Sequence, residues 1–390
     1  MKVCMLSSVH PCFDVRIFQK EARSLAEAGY QVTLVAIADF REKVVDQVRV
    51  LGLPQHKTRA FRPLNWYRIL RIAVRDKAEL YHLHDPELLL VGSIIRVLTR
   101  RPIIYDVHEN YPQDILTKEW IPRALRRPIS WIFEVFEDAM VKFVDGVVVV
   151  NQHLAERFDG KSRVVRVSNY SRIEQFMSER PELGQGKERL KPHFVYMGRI
   201  SDDRGIYECI KALDRLNDEN VEFICAGRIG HVSNQELRPL LDGSQSSALF
   251  QYLGLLPYAD IPLLLRGALA GLLCFQATPN NLLGTPNKLF EYMSAGIPVI
   301  ASDFPLIRQV VLEADCGLLV QPDDVEEIAK AMTHVLHNPE DARRMGRNGL
   351  HAARERYNWQ IEEKKLLSLY QDLLRSQSVA GHAEQDGRRE

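Results

Sequence analysis

The chain has 390 residues, 51 Lys and Arg against 51 Asp and Glu, 46% hydrophobic side chains, 22 Gly and 19 Pro. That length suits two or three domains, each able to bury a core, and the composition excludes collagen-like, wholly disordered and coiled-coil chains. The neutral total hides an asymmetry: residues 1–180 carry 28 basic and 22 acidic groups and the remainder the opposite excess, which points to an anionic surface or substrate on the N-terminal side.

Six scattered cysteines with no C-x-x-C pair indicate neither a disulfide framework nor a zinc knuckle, and they suit a reducing, cytoplasmic compartment. Met1-Lys2 leads directly into VCMLSS, too short for a signal-peptide core. Apolar stretches such as LLLVGSII (88–95) fall short of the ~20 residues a spanning helix needs, so no membrane crossing is expected.

In chain order, KVCMLSS (2–8) reads as a strand, Val15 to Ala28 as a helix stopped by Gly29, and YQVTLVAIA (30–38) as the next strand. AELYHLHD (78–85), PIIYDVHE (102–109), DGVVVVN (145–151) and SRVVRVSN (162–169) follow, with helices between them. Apolar, β-branched runs alternating with helices predict a doubly wound α/β domain over residues 1–170. Residues 171–192, rich in Gly, Pro and charge, read as a linker. The pattern restarts at HFVYMG (193–198) and continues through VEFICAG (221–227), SALFQYLG (247–254), LAGLLCF (269–275), PVIAS (298–302) and GLLVQP (317–322), a second doubly wound domain over 193–357. Two such domains predict an interdomain cleft at the carboxyl ends of their strands. NWQIEEKKLLSLYQDLLR (358–375) reads as a helix crossing back to the N-terminal domain, and 376–390, polar and aperiodic, as a disordered tail.

Six segments carry candidate chemistry. In GTPNKLFEYMSAGIPVIASD (284–303), Thr285 is placed to cap a helix starting at Pro286 and ending at Gly296, a phosphate-binding N-terminus with Glu291 positioned for ribose hydroxyls. In YMGRISDDRGIYECIKAL (196–213), Arg199 and Arg204 flank a strand-to-helix turn and suit a diphosphate, unless they merely neutralise Asp202 and Asp203. Gly227 and Arg228 end the following strand. In the N-terminal half, His82, His84 and Asp85 end one strand and His108 and Glu109 another; the H-x-H pair has no sequence-adjacent third metal ligand. The first loop, SSVHPCFDVRIF (7–18), has no glycine and so is not a dinucleotide fingerprint, but it offers Asp14 and Arg16 near a helix start.

Taken with HPCFDVRIFQKEARSLAEAGYQVTL, YHLHDPELL, IIYDVHENYP, GRISDDRG and PNKLFEYMSAGIPVI, the chain resembles bacterial retaining glycosyltransferases of family 4, over nearly its whole length. The resemblance implies the GT-B fold of two facing Rossmann-like domains. It implies a nucleotide-sugar donor, with UDP favoured, held by the C-terminal domain, and a glycan or lipid-linked acceptor in cell-surface polysaccharide biosynthesis. By the same resemblance Arg199 and Arg204 bind the diphosphate, the second being more often lysine in the family. Glu291 binds the ribose, the backbone of Pro286, Asn287, Lys288 and Leu289 faces the phosphates, and His108 contacts the donor sugar. Leu283 stands where many relatives have a second glutamate, leaving backbone around Leu283, Gly284 and Thr285 for sugar hydroxyls. Arg16 stands near where relatives have paired glycines and is expected to replace their phosphate contact, with Asp14, His84, Asp85 and Glu109 as further acceptor or phosphate-loop residues. With arginines on the leaving group, no metal or other cofactor is expected. Basic and aromatic segments at 57–77 and 119–136 suit an anionic membrane on the cytoplasmic face, and nucleic acid is not expected as a partner. The alternatives are a sugar-nucleotide epimerase of the same fold and a non-catalytic nucleotide-sugar-binding subunit.

Overall fold

A computed structural model describes residues 1–56, 58, 61–118, 121–177, 191–242 and 249–386, the side chains of 378–386 excepted. The chain divides into two compact units, Met1–Asn169 with Gln360–Glu390, and Tyr170–Trp359.

In the first unit the strands are β1 (Lys2–Pro11), β2 (Gln31–Ile37), β3 (Glu42–Val45), β4 (Val48–Leu53), β5 (Leu80–Leu83), β6 (Ile103–Val107), β7 (Gly146–Val149) and β8 (Val164–Arg166). They form one sheet in the order β3-β4-β2-β1-β5-β6-β7-β8. All pairs are parallel except β3 with β4. Central strands such as β5, β6 and β7 are buried along their whole length, as a parallel sheet covered on both faces requires. The chain leaves β1 toward β2 on one side and returns to β5 on the other, so the topological switch lies between β1 and β5. Crevices open at the carboxyl ends of strands at such switches.

The second unit repeats the plan with β9 (His193–Met197), β10 (Glu222–Ala226), β11 (Phe250–Tyr252), β12 (Ala268–Leu273), β13 (Val299–Ser302) and β14 (Gly317–Val320). Their order is β11-β10-β9-β12-β13-β14, all parallel, with the switch between β9 and β12. Each unit has its own apolar core. All six cysteines are buried free thiols.

Three features differ from the sequence expectation. The antiparallel β3–β4 hairpin was not anticipated; its two-residue turn, Asp46-Gln47, has both residues at positive φ (47° and 63°) without the Asn-Gly or Asp-Gly signal that usually marks it. The final helix does not stop at 375 but runs from Trp359 to Asp386. A helix nucleated on a docked segment extends at one hydrogen bond per residue even where its sequence has no periodicity. Of the expected linker, Ser171 bridges to Asn358 and a helical turn spans Glu174–Met177, while Tyr170, expected to end the first domain, packs edge-on against Phe290. Those residues therefore belong to the second unit, while 178–190 and 387–390 lie outside the described residues.

The last helix docks on the first unit by specific bonds: Glu362 accepts from Ser168 N (2.8 Å), Glu363 from Ser24 Oγ (2.6 Å), and Tyr370 Oη pairs with His82 Nδ1 (2.7 Å).

Candidate functional site

The sequence-marked residues of the first unit gather at its switch point. Residues two apart on a strand share a face, so His82 and His84 point the same way at the end of β5, as do Asp106 and His108 at the end of β6. Register pairs Leu83 with Tyr105, which sets the following residues, His84 and Asp106, side by side. Asp106 is fully buried and takes four donors. Arg16 grips it with Nε (3.0 Å to Oδ2) and Nη2 (2.9 Å to Oδ1), His84 Nδ1 lies 3.2 Å away, and His108 Nε2 2.5 Å. Glu21, on the π-helical turn Ile17–Ala22 after β1, lies 2.9 Å from Arg16 Nε and under 4 Å from the Nδ1 atoms of His82 and His84.

Charge follows from these neighbours. Burial disfavours an ionised Asp106, yet Arg16 and His108 hold it well below the usual carboxylate range. Burial and the charge of Asp106 push Glu21 well up, and burial pushes His82 and His84 down. At neutral pH both inner imidazoles are neutral and the Arg16 guanidinium faces an ionised Asp106, with Glu21 the more readily protonated of the two carboxyls.

Two expectations are corrected here. Arg16 is not a phosphate contact: with 3% of its surface exposed, its guanidinium is committed to Asp106, Glu21 and the Val167 carbonyl. His84 faces no solvent and is not an acceptor ligand. The H-x-H pair does find further partners remote in sequence, since Glu21, His82, His84 and Asp106 offer ligand atoms within 4.8 Å of one another. Arg16 already supplies the positive charge beside both carboxylates, so a cation bound there would face its repulsion at close range.

Asp14 acts on the backbone, accepting from Arg16 N (2.8 Å) and Ile17 N (3.0 Å). Asp85 accepts from Ser7 Oγ (2.9 Å) and Ser8 N (2.6 Å), shaping the end of β1. Between them stands His10, unmarked in the sequence. Burial opposes its charge, but Asp14, Asp85 and Glu109 outweigh that and push it up to about 9. Its ring lies 5.6 Å from that of His108. His108 keeps 14% of its side chain exposed, and Glu109 is on the surface.

In the second unit, β9 ends at Gly198 and Arg199, beside the switch point. The helix Asn287–Ala295 begins after β12 with no side chain capping it. Thr285 is not its cap: Pro286 occupies that position in an extended conformation (φ −70°, ψ 141°), and the helix starts at Asn287. Gly296, at φ 71°, ends the helix as expected.

Three cations surround this start. Arg199 is exposed and has no carboxylate within ion-pairing distance among the described residues, so Asp202 and Asp203 do not neutralise it. Arg204 is half-buried, stacked 4.5 Å over Phe275, bonded to Asn281 Oδ1 (3.2 Å) and 3.4 Å from Asp203. Lys288 lies against Gly198, where an added Cβ would come within 2.5 Å of its ammonium; that ammonium sits over Tyr196 (5.5 Å) and Phe275 (5.8 Å). Burial lowers Lys288 to about 8 although Glu291 pulls the other way. The sequence reading had used only its backbone.

Glu291 is 7% exposed, buried rather than a solvated surface glutamate. Gly227, at φ 145°, brings β10 against the Gly198 carbonyl, where a Cβ would stand only 1.9 Å away, and Arg228 beyond it is exposed. Leu283 is exposed at the end of the short helix Pro279–Leu282, with Gly284 and Thr285 half-buried after it. Leu289 turns into the core.

Comparison with known proteins adds identity to this geometry. Residues 15–169 match the family described as Glycosyl transferase 4-like domain, and residues 182–352 that described as Glycosyl transferases group 1. The chain is 25% identical over 380 residues to the phosphatidyl-myo-inositol mannosyltransferase of Mycobacterium leprae, covering 92% of this chain and 94% of that protein. It is similar to the solved sucrose-phosphate synthase of Thermosynechococcus elongatus, with TM-score 0.74 and 17% identity over 96% of this chain and 99% of that one. It is likewise similar to Anabaena HepE solved with UDP-glucose, with TM-score 0.67 and 16% identity over 97% and 100%. The solved structures establish the fold, and the epimerase and non-catalytic alternatives gain nothing from these matches.

Proposed function

We propose that this chain, a two-domain glycosyltransferase of the GT-B fold, takes its glycosyl group from a nucleoside-diphosphate sugar bound by the second unit, a UDP-sugar in preference to others. The acceptor is a hydroxyl of a glycan or lipid-linked glycan of the cell surface, and the anomeric configuration is retained. The observation that carries the donor assignment is the set of Arg199, Arg204 and Lys288 around an uncapped helix start, with Glu291 buried one turn further on. Three cations and free backbone N–H groups together suit a diphosphate, and a buried carboxylate suits the paired hydroxyls of a ribose. In this reading the acceptor hydroxyl attacks from the face the diphosphate leaves, a phosphate oxygen takes its proton, and the cations stabilise the departing charge without a metal. His108 contacts the donor sugar.

Calorimetric titration with UDP, GDP and CMP tests the donor site. UDP is expected to bind selectively, and Glu291→Ala to weaken it by tenfold or more; equal or absent binding of all three would overturn the assignment. The same titration carries a pH signature. Lys288 is charged below about 8 and neutral above it, and a diphosphate favours the charged form. UDP affinity is therefore highest below that pH and falls by up to about tenfold per unit above it, as binding has to take up a proton. Lys288→Met is expected to weaken binding and flatten this limb; an unchanged slope would exclude Lys288 from the phosphate site.

A peripheral membrane site on the cytoplasmic face belongs to the same proposal. Among the described residues no helix is long and apolar enough to cross a membrane. The helices Arg62–Asp76, Leu89–Thr99 and Arg123–Val141 lie side by side on the first unit. They expose Leu64, Tyr67, Val97, Leu98, Trp131 and Ile132, with Arg68, Arg71, Arg123 and Arg127 among them. Lys57, Arg59, Glu119 and Trp120 of the two marked segments lie outside the described residues. Apolar side chains interleaved with arginines suit anionic lipid. Co-sedimentation with phosphatidylglycerol vesicles, weakened by salt and by Trp131→Ser, is the expected result; recovery of all protein in the supernatant at low salt would end this part of the reading.

A further inference from the structure

The most heavily bonded group at the switch point of the first unit is one the sequence reading passed over. Asp106 is fully buried, bonded through both oxygens to Arg16, and 2.5 Å from His108 Nε2. No protein partner is found for His108 Nδ1 among the described residues. We propose that Asp106 is a positioning residue that fixes the tautomer and orientation of His108, so that Nε2 carries the proton and Nδ1 is the ring atom presented to the substrate.

Arg16 offers only N–H groups, so both Asp106 oxygens act as acceptors toward it, and the carboxylate is held ionised. An acceptor-only group at 2.5 Å requires a hydrogen on Nε2. A histidine is oriented by the bond its second nitrogen makes, and a buried carboxylate in that place also stabilises positive charge on the ring. The surrounding groups keep Asp106 in place. Arg16 is anchored on the Val167 carbonyl (3.1 Å) and on Glu21, and His84 Nδ1 shares Oδ2. His82 stands ring to ring with His84 (4.3 Å) and is tied by Tyr370 to the final helix.

This inference rests on the reading that His108 serves the transfer, and the test separates the two. Nitrogen-15 histidine spectra of the whole protein, with His108 assigned from a His108→Ala sample, report the tautomer without any substrate. Wild type is expected to carry the proton on Nε2. Asp106→Asn is expected to shift the proton toward Nδ1, because the side-chain amide then turns its N–H toward the ring while Arg16 keeps the carbonyl. Glu21 remains beside Arg16 as a replacement counter-ion in that variant. A wild-type His108 protonated on Nδ1 overturns the proposal, whether or not Asp106→Asn folds.

UDP release from UDP-glucose, UDP-galactose and UDP-N-acetylglucosamine supplies the kinetic arm. Asp106→Asn is expected to lower kcat by about 10²–10⁴-fold with KM for the donor within a few-fold. In the His108→Ala background the same change is expected to cost nothing further, as it acts through the ring. An equal further loss there would mark Asp106 as structural only and overturn the proposal. Full turnover in His108→Ala would remove the role given to His108 while leaving the tautomer result standing.

Discussion

Arg16→Met is expected to destabilise the first unit by about 3–5 kcal/mol, the cost of removing one partner from a buried ion pair. Among the described residues Arg16 is the one cation inside a cluster holding Glu21, His82, His84 and Asp106, all essentially solvent-free. Methionine fills a similar volume, so the loss is electrostatic rather than a cavity. Glu21, pushed toward its protonated form by burial and by Asp106, loses less than Asp106 does. Asp106 loses both of its bonds to the guanidinium and keeps only His84 and His108.

The pH dependence identifies the cause. In the wild type the Asp106 carboxyl is depressed, so its stabilisation is present above the ordinary carboxylate value and is lost as pH falls through the lower folded one. In Arg16→Met that pKa rises, so the deficit is full above the raised pKa and shrinks as pH falls through it and Asp106 takes a proton. The two units need not unfold together. Amide exchange in β5 and β6, read by mass spectrometry, reports the first unit by itself. Protection within about 1 kcal/mol of wild type at neutral pH would show that the network does not need its cation.

What the sequence made legible tracks what is local. The inner strands of both sheets announce themselves as apolar β-branched runs, and the Arg199–Gly205 and Pro286–Gly296 segments as strand-to-helix turns, because each depends on residues a few positions apart. The β3–β4 hairpin escaped because Asp46-Gln47 accept positive φ without glycine. The polar cluster escaped for another reason: Arg16, Glu21, His82 and Asp106 come from three separate segments, and only strand order and register bring them together. A partial signal was available. Asp106 and His108 are two apart at a strand end, so they share a face, just as His82 and His84 do. Nothing local indicates that this face is buried and therefore has to be neutralised by a cation from the first loop. Lys288 shows the same limit, since its ammonium is defined by Gly198, Tyr196 and Phe275 across the sheet.

Removing the charge at Arg204 is expected to lower kcat by about 10²–10³-fold in Arg204→Ala, as for the removal of one donor from a developing anion. Of the three cations near the helix start, Arg204 is the one held by most partners: Phe275 below its plane, Asn281 on Nη1 and Asp203 beside Nε. A group fixed in advance does not have to be ordered as charge develops on the leaving diphosphate. Arg199, exposed and unpaired, gives up more side-chain freedom on engaging the same anion, so Arg199→Ala is expected to raise KM more than it lowers kcat. Arg204→Lys separates charge from geometry. Lysine retains the cation, but it cannot stack its head flat on Phe275 or bond Asn281 with the same fork, so partial recovery is expected, between the alanine variant and wild type. Steady-state rates of UDP release, with Tm confirming folded protein, distinguish these outcomes. Wild-type kcat in Arg204→Ala would remove this arginine from the leaving-group site and leave its stack on Phe275 as a packing contact only.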